Sequence, residues 1–143
     1  MSDHIGIVVS RFNHDITSRL RDNCLKTLSK SGVKGERVRV ISVPGGYELP
    51  WTVQELALSK RYGVIIALGC ILKGATPQNE HISRSTISHL HDISLAARVP
   101  VILGVITPHT HAQAVARSKG ALDRGREAAL AALEMLKIRS ELS

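Results

Sequence analysis

The chain has 143 residues, 43% hydrophobic and 22% charged, which is the balance of one compact globular domain over 1–143. No apolar run approaches the roughly 20 residues of a membrane span, and the N-terminal residues lack a signal-peptide pattern, so we expect a cytoplasmic protein without a membrane partner. The net charge of +7 admits an anionic ligand, but an RNA-binding module, the most distant alternative, would carry basic runs or stacking aromatics that this sequence lacks.

Short apolar runs alternate with amphipathic stretches along the chain. An apolar run over 5–9, rich in β-branched residues, predicts a strand buried on both faces. Apolar positions spaced by three or four residues then predict a helix over 15–31, which Gly32 ends. The second strand is predicted over 38–43, and a Pro-Gly-Gly turn separates it from a helix over 48–61.

The second half of the chain continues the same alternation. Two further strands are predicted over 64–68 and 99–106, with a long helix over 78–97 between them. Two helices are predicted after the last strand, over 111–118 and 125–139. Strands that are apolar throughout and separated by helices are typical of a parallel sheet with helices on both faces and right-handed crossovers. Four strands in this order therefore predict a three-layer α/β/α protein.

The segments that follow the four strands are the most distinctive in the sequence. In an open parallel sheet, ligands bind at the carboxyl ends of the strands, so these segments are the candidates for a functional site. They are 10–13, 43–50, 69–76 and 107–110. The first two each carry one aromatic ring, Phe12 and Tyr47. Phe12 alone would more often belong to a core, but two rings at matching strand exits favour stacking on a flat ligand.

The third of these segments contains Lys73-Gly74-Ala75-Thr76 shortly before a helix. A glycine, a hydroxyl, a cation and the N–H groups of a helix N-terminus are typical of an anion-binding loop. A helix-capping turn without a ligand explains the same residues equally well. The segment is not a P-loop, whose Lys directly precedes Ser or Thr, so nucleotide triphosphate hydrolysis is not expected. Glu48, at the start of the second helix, either complements the helix dipole or accepts hydrogen bonds from a polyol.

The cysteines and histidines give no indication of a metal site. Cys24 and Cys70 are too few for a disulfide framework and are predicted to be small buried apolar residues. Two pairs of histidines are spaced two residues apart, which places neither pair on one helix face, so we expect no metal. His81 differs, because it lies in the first turn of the helix after the anion-binding loop, where an imidazole can transfer protons near neutral pH.

Four longer motifs include these segments: GIVVSRFN at 6–13, VPGGYELP at 43–50, ALGCILKGAT at 67–76 and GREAALAALEM at 125–135. In this order and at this spacing, they resemble the 6,7-dimethyl-8-ribityllumazine synthase family, whose enzymes act in riboflavin biosynthesis. The resemblance covers nearly the whole chain. Any one motif would be a weak indication, but four in order make the resemblance specific.

The resemblance implies a flavodoxin-like fold with a four-stranded parallel sheet. It also implies a reaction, in which 5-amino-6-ribitylaminouracil condenses with 3,4-dihydroxy-2-butanone 4-phosphate to 6,7-dimethyl-8-ribityllumazine. Phosphate and water are released, and no metal or organic cofactor takes part. Enzymes of this family form pentamers or assemblies of pentamers, with active sites between neighbouring subunits, and riboflavin synthase is the enzyme partner that the resemblance implies.

The resemblance also implies roles for individual residues. Phe12 would stack on the pyrimidine ring, and Leu103 of the neighbouring subunit would form an apolar wall. The other substrate-binding residues would be Gly46, Tyr47 and Glu48 around the ribityl chain, and the backbone of Cys70, Ile71 and Leu72 at the pyrimidine edge. The phosphate-binding residues would be Gly74, Ala75, Thr76 and Arg117 of the neighbouring subunit, with Lys73 and Arg124 as further cations.

The sequence departs from the family where proton transfer is expected. Gln78 occupies the position of the family's usual histidine, and Asn79 that of the aromatic residue beside it. Because glutamine does not titrate and general acid–base catalysis contributes about 10²- to 10⁴-fold, the full rate requires another group. His81, three residues further on nearly the same helix face, is our candidate, and the alternative is that it simply packs.

Other departures concern the phosphate site, the assembly and the activity. Asp123-Arg124-Gly125 stands for the family's usual Asn-Lys-Gly, and the stretch from Arg117 is one residue shorter. Since the first strand begins close to Met1, we expect that the segment which adds a strand to a neighbour's sheet in many relatives is missing. This favours pentamers or pairs of pentamers over a closed icosahedral shell. The changes at Gln78 and Asn79 leave open a relative that binds lumazine or flavin without catalysis.

Overall fold

The computed structural model describes residues 2–143 and contains four strands and five helices. The strands are β1 (Ile5–Ser10), β2 (Val38–Val43), β3 (Val64–Cys70) and β4 (Val101–Ile106). The helices are α1 (His14–Lys30), α2 (Leu49–Leu58), α3 (Pro77–Ala97), α4 (His111–Ala116) and α5 (Arg124–Leu142). Short 3₁₀ turns cover Gly35–Arg37, Gly46–Glu48 and Gly120–Leu122. Within residues 2–143, no helix has both the length and the apolar composition needed to cross a lipid bilayer.

All four strands are parallel and lie in the order β2-β1-β3-β4. The chain starts inside the sheet, moves to one edge, returns past β1 and ends at the other edge. The direction of winding therefore reverses between β1 and β3, which is where a doubly wound sheet forms its ligand crevice. The parallel sheet predicted from the apolar runs is confirmed.

Each face of the sheet has its own core. On one face, Ile7 belongs to a buried cluster with residues of α1 and α5, and on the other, Val8 belongs to a cluster with residues of α2 and α3. Successive side chains of a strand point to opposite faces, so a strand between two helical layers must be apolar throughout. This is why β1 and β3 are buried along their whole length, and it confirms the three-layer prediction.

The two edge strands are less buried than β1 and β3. β2 exposes Arg39, Val40 and Ser42, because it lies at one edge of the sheet and has a neighbouring strand on one side only. β4 forms the other edge and leaves Leu103 44% exposed.

The ends of several elements differ by a few residues from the prediction. α2 stops at Leu58, three residues before the predicted end, because Lys60 adopts a left-handed conformation with φ 61°. α1 stops at Lys30, and Gly32 adopts the left-handed φ of 84° that suits a glycine after a helix, as predicted. Backbone conformations of this kind depend on local contacts that apolar spacing does not report.

Both cysteines are buried and free. Burial raises the pKa of the Cys24 thiol to about 12, and burial likewise raises the pKa of the Cys70 thiol to about 12. A thiol that stays protonated at neutral pH is a poor nucleophile. Both residues therefore act as small apolar side chains, as predicted.

Candidate active site

The four strand exits lie along one edge of the sheet and are joined in two pairs. Arg11 and Phe12, after β1, donate their N–H groups to carbonyl oxygens of the β2 exit, at N···O distances of 2.8 and 3.0 Å. Ile71 and Lys73, after β3, donate theirs to carbonyl oxygens of the β4 exit, at 3.0 and 2.9 Å. The exits of β1 and β3, where the strand order reverses, are the place at which a sheet of this topology is expected to bind a ligand.

Asn13 joins these two exits. It follows Phe12, adopts a left-handed conformation with φ 60° and ψ 49°, and donates its side-chain amide to the carbonyl oxygen of Cys70 at 2.8 Å. Asparagine tolerates this conformation better than most residues do. The amide fixes the loop that carries Phe12 relative to the end of β3, a role that was not predicted from the sequence. Cys70 itself is the last residue of β3, so the following loop begins at Ile71 and not at Gly69 as predicted.

The two predicted stacking rings are on the surface. Phe12 is 68% exposed and Tyr47 69% exposed, so neither belongs to the core. Trp51, in the first turn of α2, is exposed to the same degree but was not predicted as part of the site. Exposed aromatic rings of this kind are typical of a surface that a flat ligand or a second subunit covers.

The turn that carries Tyr47 lies next to the exit of β3. A Cβ at Gly46 would lie 2.8 Å from Cδ1 of Ile71, and the Gly46 carbonyl oxygen accepts a hydrogen bond from Thr86 of α3 at 3.3 Å. Glu48 is half-buried, and its carboxylate makes no hydrogen bond or ion pair with any residue that the structure describes. The carboxylate can therefore accept hydrogen bonds from a ligand.

Residues 74–76 of the predicted anion-binding loop form a tight turn before α3, and we call these three residues the anion loop. Gly74 packs directly against the backbone of His109 after β4, and a Cβ at position 74 would overlap the His109 carbonyl oxygen. Only glycine allows this close approach. The contact joins the anion loop to the β4 exit, together with the hydrogen bond from the Lys73 N–H to the carbonyl oxygen of Pro108 at 2.9 Å.

The anion loop presents backbone N–H groups to the surface. The Thr76 hydroxyl caps α3 by accepting a hydrogen bond from an N–H of the first helical turn at 3.2 Å, as the capping alternative predicts. Among residues 2–143, none accepts a hydrogen bond from the N–H groups of Gly74, Thr76 or Gln78. N–H groups without a partner at a helix N-terminus are the donors that an anion uses, so the helix cap and an anion site are compatible.

Gln78 and His81 are both exposed, and neither side chain makes a hydrogen bond or an ion pair with another described residue. α3 begins at Pro77, so His81 lies in its second turn and not in the first as predicted. The side chain next to Gln78 differs: the amide of Asn79 turns back toward the β3 exit and donates to the carbonyl oxygen of Leu72 at 2.9 Å.

Leu103, Arg117 and Arg124 lie outside the four strand-exit segments. Leu103 is on the edge strand β4, and Arg117 follows α4 with its guanidinium free of hydrogen bonds and ion pairs within residues 2–143. The Nε of Arg124 pairs with Oε2 of Glu127 at 2.9 Å, one turn along the same helix. Arg124 is therefore engaged within α5.

A hydrogen bond joins the start of α1 to the start of α4. Nε2 of His111 lies 2.6 Å from Oδ2 of Asp15, and both side chains are more than half exposed. This hydrogen bond from His111 holds the pKa of the Asp15 carboxyl below its ordinary value. Elsewhere among residues 2–143, no three His, Cys, Asp or Glu side chains come together as metal ligands would.

The Asp15 pair predicts a pH-dependent contribution to stability. A lowered pKa means that the ionised carboxylate stabilises the folded state above the ordinary pKa of the group, and that this stability is lost as the pH falls through the lowered pKa. Because the pair is exposed, we expect Asp15→Asn to lower the free energy of unfolding at neutral pH by less than about 1 kcal/mol. Urea unfolding at neutral and at strongly acidic pH checks this, since an equal difference at both pH values would contradict an ionised carboxylate as its source.

A parallel sheet of order β2-β1-β3-β4, covered by helices on both faces, defines a flavodoxin-like α/β protein. The family model described as 6,7-dimethyl-8-ribityllumazine synthase matches residues 2–140. The chain belongs to this family of enzymes.

Individual relatives agree with the family model. The chain is 41% identical to the 6,7-dimethyl-8-ribityllumazine synthase of Syntrophus aciditrophicus, over 93% of this chain and 87% of that protein. It is 41% identical to the protein of the same name from Edwardsiella ictaluri, over 94% and 87% of the two chains. A third relative of that name, from Protochlamydia amoebophila, is 36% identical over 97% of this chain and 81% of its own length.

Proposed function

We propose that this chain is a transferase that condenses 5-amino-6-ribitylaminouracil with 3,4-dihydroxy-2-butanone 4-phosphate to give 6,7-dimethyl-8-ribityllumazine. The observation that carries the proposal is the edge of the sheet, where two exposed rings, an unpaired carboxylate and a loop of unpartnered N–H groups lie on the strand exits of a chain from this family. The two substrates contain a flat ring, a polyol and a phosphate. The exposed rings match the flat ring, the carboxylate matches the polyol, and the unpartnered N–H groups match the phosphate.

The pyrimidine and its ribityl chain are bound between the β1 and β3 exits. Phe12 stacks on the pyrimidine, and the backbone of 70–72 binds its polar edge. Tyr47 and Glu48, with the close approach that Gly46 permits, line the ribityl chain, whose hydroxyl groups donate to the Glu48 carboxylate. Leu103 of a neighbouring subunit closes the pocket with an apolar wall. Support comes from the exposure of Phe12 and Tyr47 and from the Asn13 amide that joins the two exits at 2.8 Å.

The phosphate of the second substrate binds in the anion loop. The N–H groups of Gly74 and Thr76 donate to its oxygens, the backbone at Ala75 completes the loop, and Arg117 of the neighbouring subunit adds two charge-assisted hydrogen bonds. Lys73 raises the positive potential nearby, while Arg124 would have to leave Glu127 to contribute. Binding both substrates in one site accounts for part of the rate, because holding two reactants in a reactive orientation can lower the activation barrier by about 7–11 kcal/mol.

Gly74→Ala tests the anion loop directly. The added Cβ would overlap the His109 carbonyl oxygen, so the loop must move away from the β4 exit. We expect the KM for the butanone phosphate to rise about tenfold or more, because overpacking of this kind costs about 1–3 kcal/mol and displaces the phosphate donors. Steady-state kinetics with each substrate varied in turn measure the effect.

Gly6→Ala is the matched control for this prediction. A Cβ there would meet the side chains of Leu56 and Tyr62 rather than backbone, and the residue is remote from the strand exits. We expect Gly6→Ala to lower the melting temperature while the KM for the butanone phosphate stays near that of wild type. If both glycine variants changed this KM equally, the anion loop would not be the phosphate site.

Proton transfer is needed to form the two carbon–nitrogen bonds and to release phosphate. Gln78 cannot titrate, so His81, one turn further along α3, takes this part in our proposal. It is exposed and free of hydrogen bonds within the described chain, which leaves both ring nitrogens available. No metal or organic cofactor is required for any of these steps.

The β4 edge supports a proposal of homopentamers or assemblies of pentamers. A groove of about 1190 Å³ runs along β4 between the end of α3 and α5, and exposed apolar side chains, Leu95, Leu103 and Leu142, line it. An apolar groove of this size on an edge strand is the surface that a second copy would cover. The mass of the assembly in solution distinguishes a pentamer, a pair of pentamers and an icosahedral shell.

The remaining parts of the proposal are a single domain over 1–143, a cytoplasmic location and riboflavin synthase as the enzyme that accepts the product. Cell fractionation and co-purification test the last two. The decisive test of the function is incubation of the purified protein with both substrates, followed by lumazine fluorescence and phosphate release. No contact in the described chain favours a relative that binds lumazine without catalysis, and binding without product would establish that alternative.

A further inference from the structure

We propose that Asn79 is a positioning residue for the substrate phosphate, because its side chain holds the anion loop in the shape that binds the anion. The inference rests on the proposed function, since it concerns the same phosphate site. Asn79 lies in the first turn of α3 and is half-buried. Its sequence position indicated only a departure from the family, and its contacts within this chain give it a role.

Asn79 makes one contact before the anion loop, at Leu72, and one at its last residue, Thr76. Its side-chain Nδ2 donates to the carbonyl oxygen of Leu72 at 2.9 Å, and its backbone N–H donates to the Thr76 hydroxyl at 3.2 Å. The same Leu72 oxygen accepts the N–H of Ala75 at 3.1 Å. The chain from Leu72 to Asn79 is thus closed by hydrogen bonds around the loop, and one of them comes from the Asn79 amide.

The opposite side of the anion loop is held by the exit of β4. The Lys73 N–H donates to the Pro108 carbonyl oxygen, and Gly74 packs against the backbone of His109. The Asn79 amide supplies the matching restraint on the side of α3. With both sides held, the unpartnered N–H groups of Gly74, Thr76 and Gln78 keep a fixed arrangement before the anion arrives. Fixed donors bind an anion more tightly than donors that must first be ordered.

The chemistry of an asparagine suits this position. A carboxylate in the first turn would be favoured by the helix dipole, but it could not donate to the Leu72 carbonyl oxygen and would place negative charge beside the phosphate. A leucine of similar size would have no donor at all. A neutral amide provides the donor without repelling the anion.

Two variants separate these effects in the full-length protein. Asn79→Asp replaces the donor by a charge at nearly unchanged shape, and Asn79→Leu removes the donor without adding charge. Gln54→Glu is the matched control, because Gln54 is exposed on α2 and the same amide becomes a carboxylate away from the anion loop. Binding of inorganic phosphate, followed by ³¹P NMR titration, and the KM for each substrate are measured for all four proteins, together with the melting temperature.

Loss of one hydrogen bond that orders the donors should weaken phosphate binding about tenfold in Asn79→Leu, and added repulsion should weaken it further in Asn79→Asp. The KM for the butanone phosphate should rise in parallel, while the KM for the ribitylaminouracil stays within about twofold, as a positioning role at the phosphate site requires. Gln54→Glu should match wild type in all three quantities.

Each other outcome decides between the two proposals. Unchanged phosphate affinity in the Asn79 variants would overturn the positioning role and leave the enzyme function intact. Equal rises in the KM values of both substrates would have the same meaning. So would a wild-type protein that forms product but binds no inorganic phosphate. If wild type binds phosphate, the Asn79 variants lose it and no lumazine is formed by any protein, the positioning role holds and the proposed reaction is wrong.

Discussion

Replacement of His81 by alanine is expected to lower kcat by about 10²-fold or more, because general acid–base catalysis contributes on this scale. The same change should also alter the dependence of kcat on pH, because the group that transfers the proton is lost. The measurement is kcat from lumazine fluorescence across the pH range in which the protein stays folded.

Two further variants make the His81 result specific. His89→Ala changes another exposed histidine of α3, whose ring is bonded to the Ser85 carbonyl oxygen at 2.8 Å, and should leave the rate near wild type. Gln78→His, introduced together with His81→Ala, should recover part of the lost rate by placing an imidazole where the family resemblance implies one. If His81→Ala kept the wild-type rate and pH profile, proton transfer would belong to another group.

Replacement of Arg117 by alanine is expected to lower kcat/KM for the butanone phosphate by about 10²-fold, because a hydrogen bond between charged groups is worth about 1.5–3 kcal/mol. The guanidinium has no partner among residues 2–143, so the loss should fall on the substrate and not on the fold. Arg117→Lys is the matched variant: it keeps the charge but cannot bond two phosphate oxygens at once, so it should recover only part of the loss.

Mixing two variants of reduced activity tests whether Arg117 acts across a subunit boundary. Proteins carrying Phe12→Ala and Arg117→Ala would be unfolded, combined in equal amounts and reassembled. In a ring with sites between neighbours, about a quarter of the sites would receive an intact Phe12 from one subunit and an intact Arg117 from the next, so activity should return to about that fraction. No recovery would mean that both residues serve the same subunit's site.

The strands and the layer order could be predicted from the sequence. A strand covered by helices on both faces must be apolar throughout, and this requirement shows in β1 and β3. The edge strands broke the pattern, because the exposure of Arg39 and Leu103 depends on which strand lies at the edge, and apolar runs do not report that order. The end of α2 differs from the predicted end for a related reason, because the left-handed conformation of Lys60 cannot be recognised from the spacing of apolar residues.

The candidate site was predictable in its chemistry but not in its geometry. Phe12, Tyr47 and the anion loop stood out because rings, glycine and hydroxyl after apolar strands are unusual, and both rings are indeed exposed. The exposure of Trp51 was not predicted, since a tryptophan at the start of a helix could as easily have faced the core. The family resemblance supplied roles, and those roles stay predictions until the variants above are measured.

By itself, the sequence determined which segments become strands and helices and which side chains are offered at the strand exits, because these properties depend on residues close together in the chain. Only the tertiary structure decided how the exits are joined. The Asn13 amide reaches the carbonyl oxygen of Cys70, and Gly74 meets the backbone of His109. These contacts join residues far apart in sequence, and they form only after the parallel strands bring their carboxyl ends to one edge, where packing and hydrogen bonding then select which groups meet.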